Sequence, residues 1–253
     1  MAHGYHTLQH WNQWLSQQFL GKSILDAESQ QFQKLLQRHL GKHVILLGVP
    51  HQYDLLHTTS NIPCQSLVTP LICHEKKSGL IEGDFREVPI QTGSIDLVML
   101  PHTLEFVDNP RQLLAEACRI IKPEGLIVIS GFNPVSTWGL RKLFTRNKKH
   151  MPWGANFIHA QKIKSWLKLA EFAMEKHEGV LFAPPVNHPS IYKKMNFLEK
   201  IGNKYFPMLG GVYILVARAK VIPLTPIRLK WKQQLSGINM TGTISGHIAR
   251  KSG

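Results

Sequence analysis

"GDFREVPIQTGSIDLVMLPHTLEFVDNPRQLLAEACRIIKPEGLIVISGF", residues Gly83–Phe132, holds two apolar runs separated by a helical signature. The runs "IDLVML" (95–100) and "LIVIS" (126–130) are short and almost continuously apolar, as in strands buried on both faces. Between them Asp108 or Asn109 stands at an N-cap and Pro110 at the first helical position. Leu113, Leu114, Ala117 and Ile121 then recur at helical spacing. Lys122-Pro123-Glu124-Gly125 supplies the turn. Strand, capped helix, turn and strand in that order predict right-handed crossovers and a parallel sheet covered by helices.

The same alternation extends on both sides. Upstream, "HVILL" (43–47) reads as a first strand, "SLVT" (66–69) as a second, and "GLIEGDF" (79–85) as the end of a third. Downstream, "VSTWGLRKLFTR" and "AQKIKSWLKLA" read as helices, the latter with Ile163, Trp166, Leu167 and Ala170 on one side. "FAMEKHEGVLF" and "GVYILVARAK" read as closing strands, the second apolar enough for the middle of a sheet. Two further helices are predicted before the first strand. "LQHWNQWLSQQFL" sets Trp11, Leu15 and Phe19 on one stripe, which serves either as a lid over a pocket or as packing against the sheet. "DAESQQFQKLLQRHLGK" places Phe32, Leu35, Leu36 and Leu40 on another, with Asp26 as N-cap and Gly41 as stop. The expected organisation is N-terminal helices over 1–41, a main α/β domain over 42–222, and a basic tail over 223–253 whose proline-broken and then Gly/Ser/Thr-rich composition predicts disorder.

With 253 residues and 43% hydrophobic content, the chain is long enough for one full core. No apolar run approaches the roughly 20 residues of a membrane-spanning helix, and "MAHGYHTLQHWNQW" lacks a signal-peptide core, so a cytoplasmic location is expected. Three cysteines without CxxC spacing argue against a disulfide framework. His51, His57, Cys64, Cys73 and His74 match no compact zinc pattern, and no metal site is expected. Charge is divided unevenly. Met1–Thr137 carries 10 basic and 12 acidic side chains, whereas Trp138–Gly253 carries 20 and 4, a net of −2 against +16. That asymmetry fits either an anionic partner, such as nucleic acid or another polyanion bound through the basic C-terminal half, or a solvated basic face.

The opening stretch resembles the central part of class I S-adenosylmethionine (SAM)-dependent methyltransferases of the type 11 kind. The resemblance is carried by Gly83-Asp84, Val88-Pro89, Ser94-Ile95-Asp96-Leu97-Val98 and Ile121-Lys122-Pro123-Glu124-Gly125. From about His43 to Thr225 the chain is also similar to the YafS group of bacterial methyltransferase-like proteins, through "SGFNP", "GLRKL" and "VARAKVIPLT". The resemblance implies an α/β, Rossmann-like class I methyltransferase fold: a central, mostly parallel seven-stranded sheet with helices on both faces. It implies SAM as methyl donor and leaves the methyl acceptor unknown.

In a doubly wound sheet, ligands bind beyond the carboxyl ends of the strands, which here brings Gly48, His51, Gln52, Asp84, Phe85 and Pro101 to the candidate cofactor crevice. Asp84 can accept a hydrogen bond from an adenine amine while Phe85 offers an apolar face, or Asp84 can simply cap the next turn. His102 and Glu105 follow the fourth strand, either as a proton-accepting pair or as lining. Asn133 follows the fifth, either as a substrate contact or as an Asn-Pro turn. The chain departs from the resembled pattern at two grips. Where the family has an acid-x-Gly-x-Gly-x-Gly run, this chain has Leu46-Leu47-Gly48-Val49-Pro50-His51-Gln52. Where the family places a ribose-binding acid, it has Thr69-Pro70. A methyltransferase with a degenerate loop is the leading expectation; the alternative is an inert protein of the same fold that binds RNA or a protein partner through its basic half.

Overall fold

The computed structural model describes residues 2–37, 39–59, 61–72, 78–145, 151–186, 199, 202 and 208–220. Contacts divide the chain into Met1–Val221 and Ile222–Gly253; the second unit, and with it the predicted basic tail, lies outside the described residues.

One seven-stranded sheet organises the first unit. Its strands are β1 (His43–Leu47), β2 (Cys64–Thr69), β3 (Leu80–Glu82), β4 (Ile95–Pro101), β5 (Ile121–Phe132), β6 (Phe172–Val180) and β7 (Val212–Ala219), in the order β3-β2-β1-β4-β5-β7-β6. Strands β1 to β5 pair in parallel, while β7 runs antiparallel to both β5 and β6. Strand order reverses between β1 and β4, so a switch-point crevice opens beyond their carboxyl ends. The apolar runs behave as their composition requires: Val44–Leu47, Leu97–Leu100 and Leu126–Ile129 are buried throughout, with helices on both faces. Strand β7 lies inside the sheet, as its apolar sequence predicts.

Local capping follows the sequence closely. Helix α3 (Pro110–Ile120) starts at Asn109, whose Oδ1 accepts from the Gln112 amide at 3.2 Å, with Pro110 behind it. Helix α4 (Thr137–Phe144) is capped by the Ser136 hydroxyl, which accepts from Trp138 N and Gly139 N. Helix α5 (Ala160–Leu169) buries Ile163 and Leu167 and leaves Trp166 partly covered. At the other end of the sheet, Asp96 ties three strands together. Its Oδ2 accepts from the Lys42 and His43 amides and from Lys122 Nζ, each at 3.0 Å. Burial raises that carboxyl, but the ammonium and the two N–H donors outweigh it and hold the pKa below the usual range.

The N-terminal region departs from expectation in one respect. Helix α1 (Ala2–Gln17) is followed almost at once by α2 (Phe19–Leu36), which begins seven residues before the predicted cap. Asp26 is therefore inside a helix, and Leu40, predicted on the buried stripe, is 80% exposed. The early start is allowed because Gln18 takes an extended conformation and Gly21 lets the helices meet. A Cβ there would stand 2.7 Å from Leu15 Cα.

Candidate functional site

The loop after β1 is not a glycine turn. Pro50 opens a 3-10 helix (Pro50–Thr59), which its fixed φ and missing N–H suit it to begin. This turn buries the Gln52 side chain over Gly48. Gln52 Oε1 accepts from the Val49 amide at 3.0 Å, and Nε2 donates to the Pro101 carbonyl at 2.8 Å. A Cβ on Gly48 would stand 2.5 Å from Gln52 Oε1, so the space that the lone glycine leaves open is filled by the chain's own carboxamide. The Pro101 carbonyl also accepts from Thr103 Oγ1 at 3.2 Å. His51 is exposed, and its backbone N–H donates to Asn12 Oδ1 of α1 at 3.0 Å.

Beside this filled loop lies a cavity of about 370 Å³, within the range of small-molecule sites. Pro70 after β2 and Gly83, Asp84 and Phe85 after β3 form one side, Val107 to Asn109 another, and Tyr5 and Leu8 of α1 a third. Phe85 is buried. Asp84 is about half exposed and bound by Arg86: Oδ1 accepts from the Arg86 amide at 2.9 Å, and Oδ2 from Nε at 2.9 Å. The Arg86 side-chain bonds, then its backbone N–H, hold the Asp84 carboxyl below its ordinary pKa. Asp84 thus acts as a turn acid and lines the cavity, with its carboxylate shared with a guanidinium.

Beyond the end of β4 the chain buries a polar cluster. His102 takes a left-handed conformation (φ 56°), a strained geometry for a residue with a side chain. That turn aims the imidazole inward, where it is fully buried. Its Nδ1 lies 2.8 Å from Glu105 Oε2, and its Nε2 lies 3.3 Å from Glu28 Oε1 without the alignment of a hydrogen bond. Glu105 Oε1 accepts from the Phe132 amide at 2.8 Å, and the Ser130 hydroxyl of β5 donates to Glu28 Oε1. Burial pushes Glu28 up to about 8, pushes Glu105 well above the carboxylate range, and pushes His102 down to about 3. Near neutral pH burial therefore favours the uncharged forms of both groups, joined by one hydrogen bond between Nδ1 and Oε2. Trp11 closes the cluster, with ring centroids 5.5 Å from His102, 4.5 Å from Phe106 and 6.0 Å from Phe132. Trp11 Nε1, Glu28 Oε2 and His102 Nε2 are buried without a hydrogen bond.

Asn133 sits at the end of β5 in an Asn-Pro turn. Its Nδ2 donates to the Met208 carbonyl at 2.8 Å, and its Oδ1 accepts from the Val135 amide at 3.1 Å. A second cavity, of about 240 Å³, lies between α1 and the loop after α4. It is lined by Trp14, Gln18, Arg141, Met151 and Trp153, among others. Helix α1 spans the crevice from one cavity to the other, with Trp11 between them.

The structure therefore gathers Gly48, Gln52 and Pro101 into one contact and sets Asp84 and Phe85 on the neighbouring cavity. His102 and Glu105 pair beneath Trp11, and Asn133 is engaged in its own turn. The sequence reading missed Glu28, Ser130 and Arg86. Glu28 had a signal: it interrupts the stripe Ile24, Glu28, Phe32 at spacing i, i+4, i+8, where an apolar side chain belongs. Of the histidine and cysteine cluster, Cys73 and His74 lie outside the described residues. Among those described, no helix is long and apolar enough to cross a membrane.

Comparison with known proteins places this geometry. The methyltransferase domain family matches residues 65–129, the stretch from β2 to β5. The uncharacterized protein YafS of Escherichia coli (strain K12) is 29% identical over 197 residues, covering 77% of this chain and 78% of that protein. Among solved structures, a SAM-dependent methyltransferase from Thermotoga maritima, a possible histamine N-methyltransferase, superposes with a TM-score of 0.57 at 17% identity, covering 86% of this chain and 100% of the other. The N-methyltransferase NodS from Bradyrhizobium japonicum WM9, in complex with S-adenosyl-L-homocysteine, superposes with a TM-score of 0.56 at 10% identity, covering 86% and 98%. The fold is the Rossmann-like class I methyltransferase fold, with strand order and the antiparallel β7 included.

Proposed function

We propose that the protein is a SAM-dependent methyltransferase. The observation that carries this reading is the cavity at the carboxyl ends of β2 and β3, which the class I fold makes its nucleotide crevice and whose lining, Tyr5 and Leu8 of α1 apart, falls within the methyltransferase-domain match. The fit to SAM is uneven. Pro70 and Phe85 supply apolar walls for an adenine ring, and Asp84 supplies an anionic acceptor for its amine. The amino-acid end has no such space, because Gln52 already takes the Val49 N–H and the Pro101 carbonyl that a zwitterion would use. Binding at full length therefore requires the Gln52 side chain to swing out, and the cost weakens affinity.

SAM, when bound, supplies a sulfonium methyl that an aligned nucleophile displaces in line. The chain's own part is alignment and, for an acceptor that must lose a proton, a neutral base. His102 suits that second role in the tautomer whose Nδ1–H donates to Glu105 Oε2: burial keeps the ring neutral, and the Nε2 lone pair is then left free. Reaching it requires Trp11 to move. Asn133, beyond β5, is the candidate acceptor contact once its turn opens. A second reading is favoured by the Gln52 carboxamide over Gly48: a protein that keeps the fold without turnover and binds RNA or a protein partner instead.

Calorimetric titration of an Asp84→Asn protein with SAM tests the adenine grip. The substitution keeps volume, removes the anionic acceptor and turns a second donor toward the amine. Affinity should fall about 10- to 100-fold, the worth of a charge-assisted hydrogen bond of about 1.5–3 kcal/mol. An Asp84→Asn protein that binds as the parent does would remove this side chain from the site.

A further inference from the structure

Helix α4 shows an apolar face that the described residues leave uncovered. Its inner side is satisfied: Trp138 is fully buried, and Lys142 packs over the Phe157 ring at 4.2 Å. Its outer side carries Leu140, Leu143 and Phe144 at i, i+3 and i+4, and the last two are each 80% exposed. Val135, just before the helix, is exposed as well. A separate segment brings Met208 and Leu209 to the same edge, since Asn133 Nδ2 bonds the Met208 carbonyl at 2.8 Å and Asn133 N bonds Gly211 O at 2.9 Å. Two chain segments distant in sequence, tied together at Asn133, thus carry six exposed apolar side chains. Singly scattered apolar residues need no explanation; exposed ones grouped on a helix face and on the segment tied to its start point to an interaction site.

Charge decides among partners. Arg141 and Lys142 turn inward, but in sequence Arg146, Lys148 and Lys149 follow Phe144 with no acidic residue among them, and the 21 residues before Met208 have four lysines and one glutamate. We infer that this edge docks on an anionic lipid surface, with Leu140, Leu143 and Phe144 entering the headgroup boundary and the basic residues that flank the patch in sequence supplying the attraction to lipid phosphates. Helices that lie in an interface combine Leu and Phe on one face with Lys and Arg around it. RNA would use the cations but gains nothing from exposed Leu, Val and Met, because single-stranded nucleic acid stacks on aromatic rings and Phe144 is the one aromatic side chain of the patch. The same helix lines the second cavity through Arg141, whose guanidinium lies 5.4 Å from the Trp153 ring. An apolar acceptor carried in the lipid would have a short path to that cavity; this last step rests on the methyltransferase reading, whereas the docking does not.

Flotation of the full chain with vesicles tests the docking. Phosphatidylcholine vesicles with and without about one-third phosphatidylglycerol are used at moderate salt, and retained circular dichroism and melting temperature control for folding. The parent should float with the anionic vesicles and bind neutral ones at least tenfold less, each interfacial Lys or Arg contributing about fivefold. Leu143→Gln/Phe144→Gln, two exposed positions, should fold normally and lose at least tenfold in partitioning. Absence of flotation with anionic vesicles, or flotation unchanged by the double substitution, would overturn the inference. So would a shift from dimer to monomer caused by the same substitution without any vesicle binding, which would make the edge an interface between copies. RNA binding that the double substitution abolishes while the parent ignores vesicles would overturn it equally. None of these outcomes depends on SAM, so a failure here is separable from a failure of SAM titration.

Discussion

Trp11→Ala should unfold roughly 6–20 °C below the parent, a loss of about 3–5 kcal/mol. Trp11 is nearly inaccessible and stacks on Trp14 at 5.3 Å and on Phe106 at 4.5 Å, with the Phe132 edge and the His102 ring completing its surroundings. No neighbour can close the hole, because the rings come from three separate elements anchored to the sheet. Trp11→Phe keeps most of the stacking and should recover well over half of the loss. Differential scanning calorimetry checks both. A Trp11→Ala protein within 1 kcal/mol of the parent would mean that α1 is not anchored on the β4 and β5 ends. Of the two readings of this segment, the packing one holds for Trp11, while Tyr5, Leu8 and Trp14 on the same helix wall the two cavities.

The second large effect is a pH profile. Glu28 is raised from 4.5 to about 8 by burial, with the Ser130 hydrogen bond opposing. A carboxyl raised in the folded state contributes stability that is fully present below its unfolded pKa and lost as pH rises through about 8. His102, lowered from 6.5 to about 3, works the other way: its contribution is present above 6.5 and lost as pH falls toward 3. From about pH 4.5 to 6.5 the two slopes offset each other. Above 6.5 the His102 slope is gone and the Glu28 slope remains, at about 1.4 kcal/mol per pH unit, with the raised Glu105 adding to it. Stability should therefore decline by at least about 2 kcal/mol between pH 6.5 and 8. Glu28→Gln keeps the acceptor for Ser130 and cannot ionise. It should match the parent near pH 4 and exceed it by several kcal/mol, on the order of 3–5, at pH 8.5. Urea unfolding across that range measures the difference; superimposable profiles would show that Glu28 does not titrate in the folded protein.

The fold was legible because its signals were local and redundant. Asn109-Pro110 starts α3 where an N-cap and a first-turn proline should, and the continuous runs of β1, β4 and β5 admit no position except a sheet covered on both faces. The early start of α2 was not legible, since it depends on Gly21 passing within contact distance of Leu15 and not on any capping signature. The candidate site divided along the same line. Asp84 and Phe85 were placed by their position after a strand, and the structure sets them on a cavity. What Gln52 does could not be read from its neighbours. Its partners, Val49 and Pro101, meet only when β1 and β4 pair, and a carboxamide that replaces a missing glycine loop has no sequence period. Glu28 was hidden for a related reason: its partners Ser130 and His102 lie 102 and 74 positions away, although its place on an apolar stripe was visible.

Direct titration of the purified full chain with SAM and with S-adenosylhomocysteine tests the central claim. A cavity for the adenosine half combined with a self-filled amino-acid half predicts one site per chain with a dissociation constant in the tens of micromolar, roughly −6 to −7 kcal/mol. Gln52→Ala, which vacates the space over Gly48, is expected to change that constant, whereas Leu143→Gln, at a residue that lines neither cavity, should leave it unchanged. Absence of detectable heat or thermal stabilisation with either ligand at millimolar concentration would contradict the account and leave a methyltransferase fold used for another purpose.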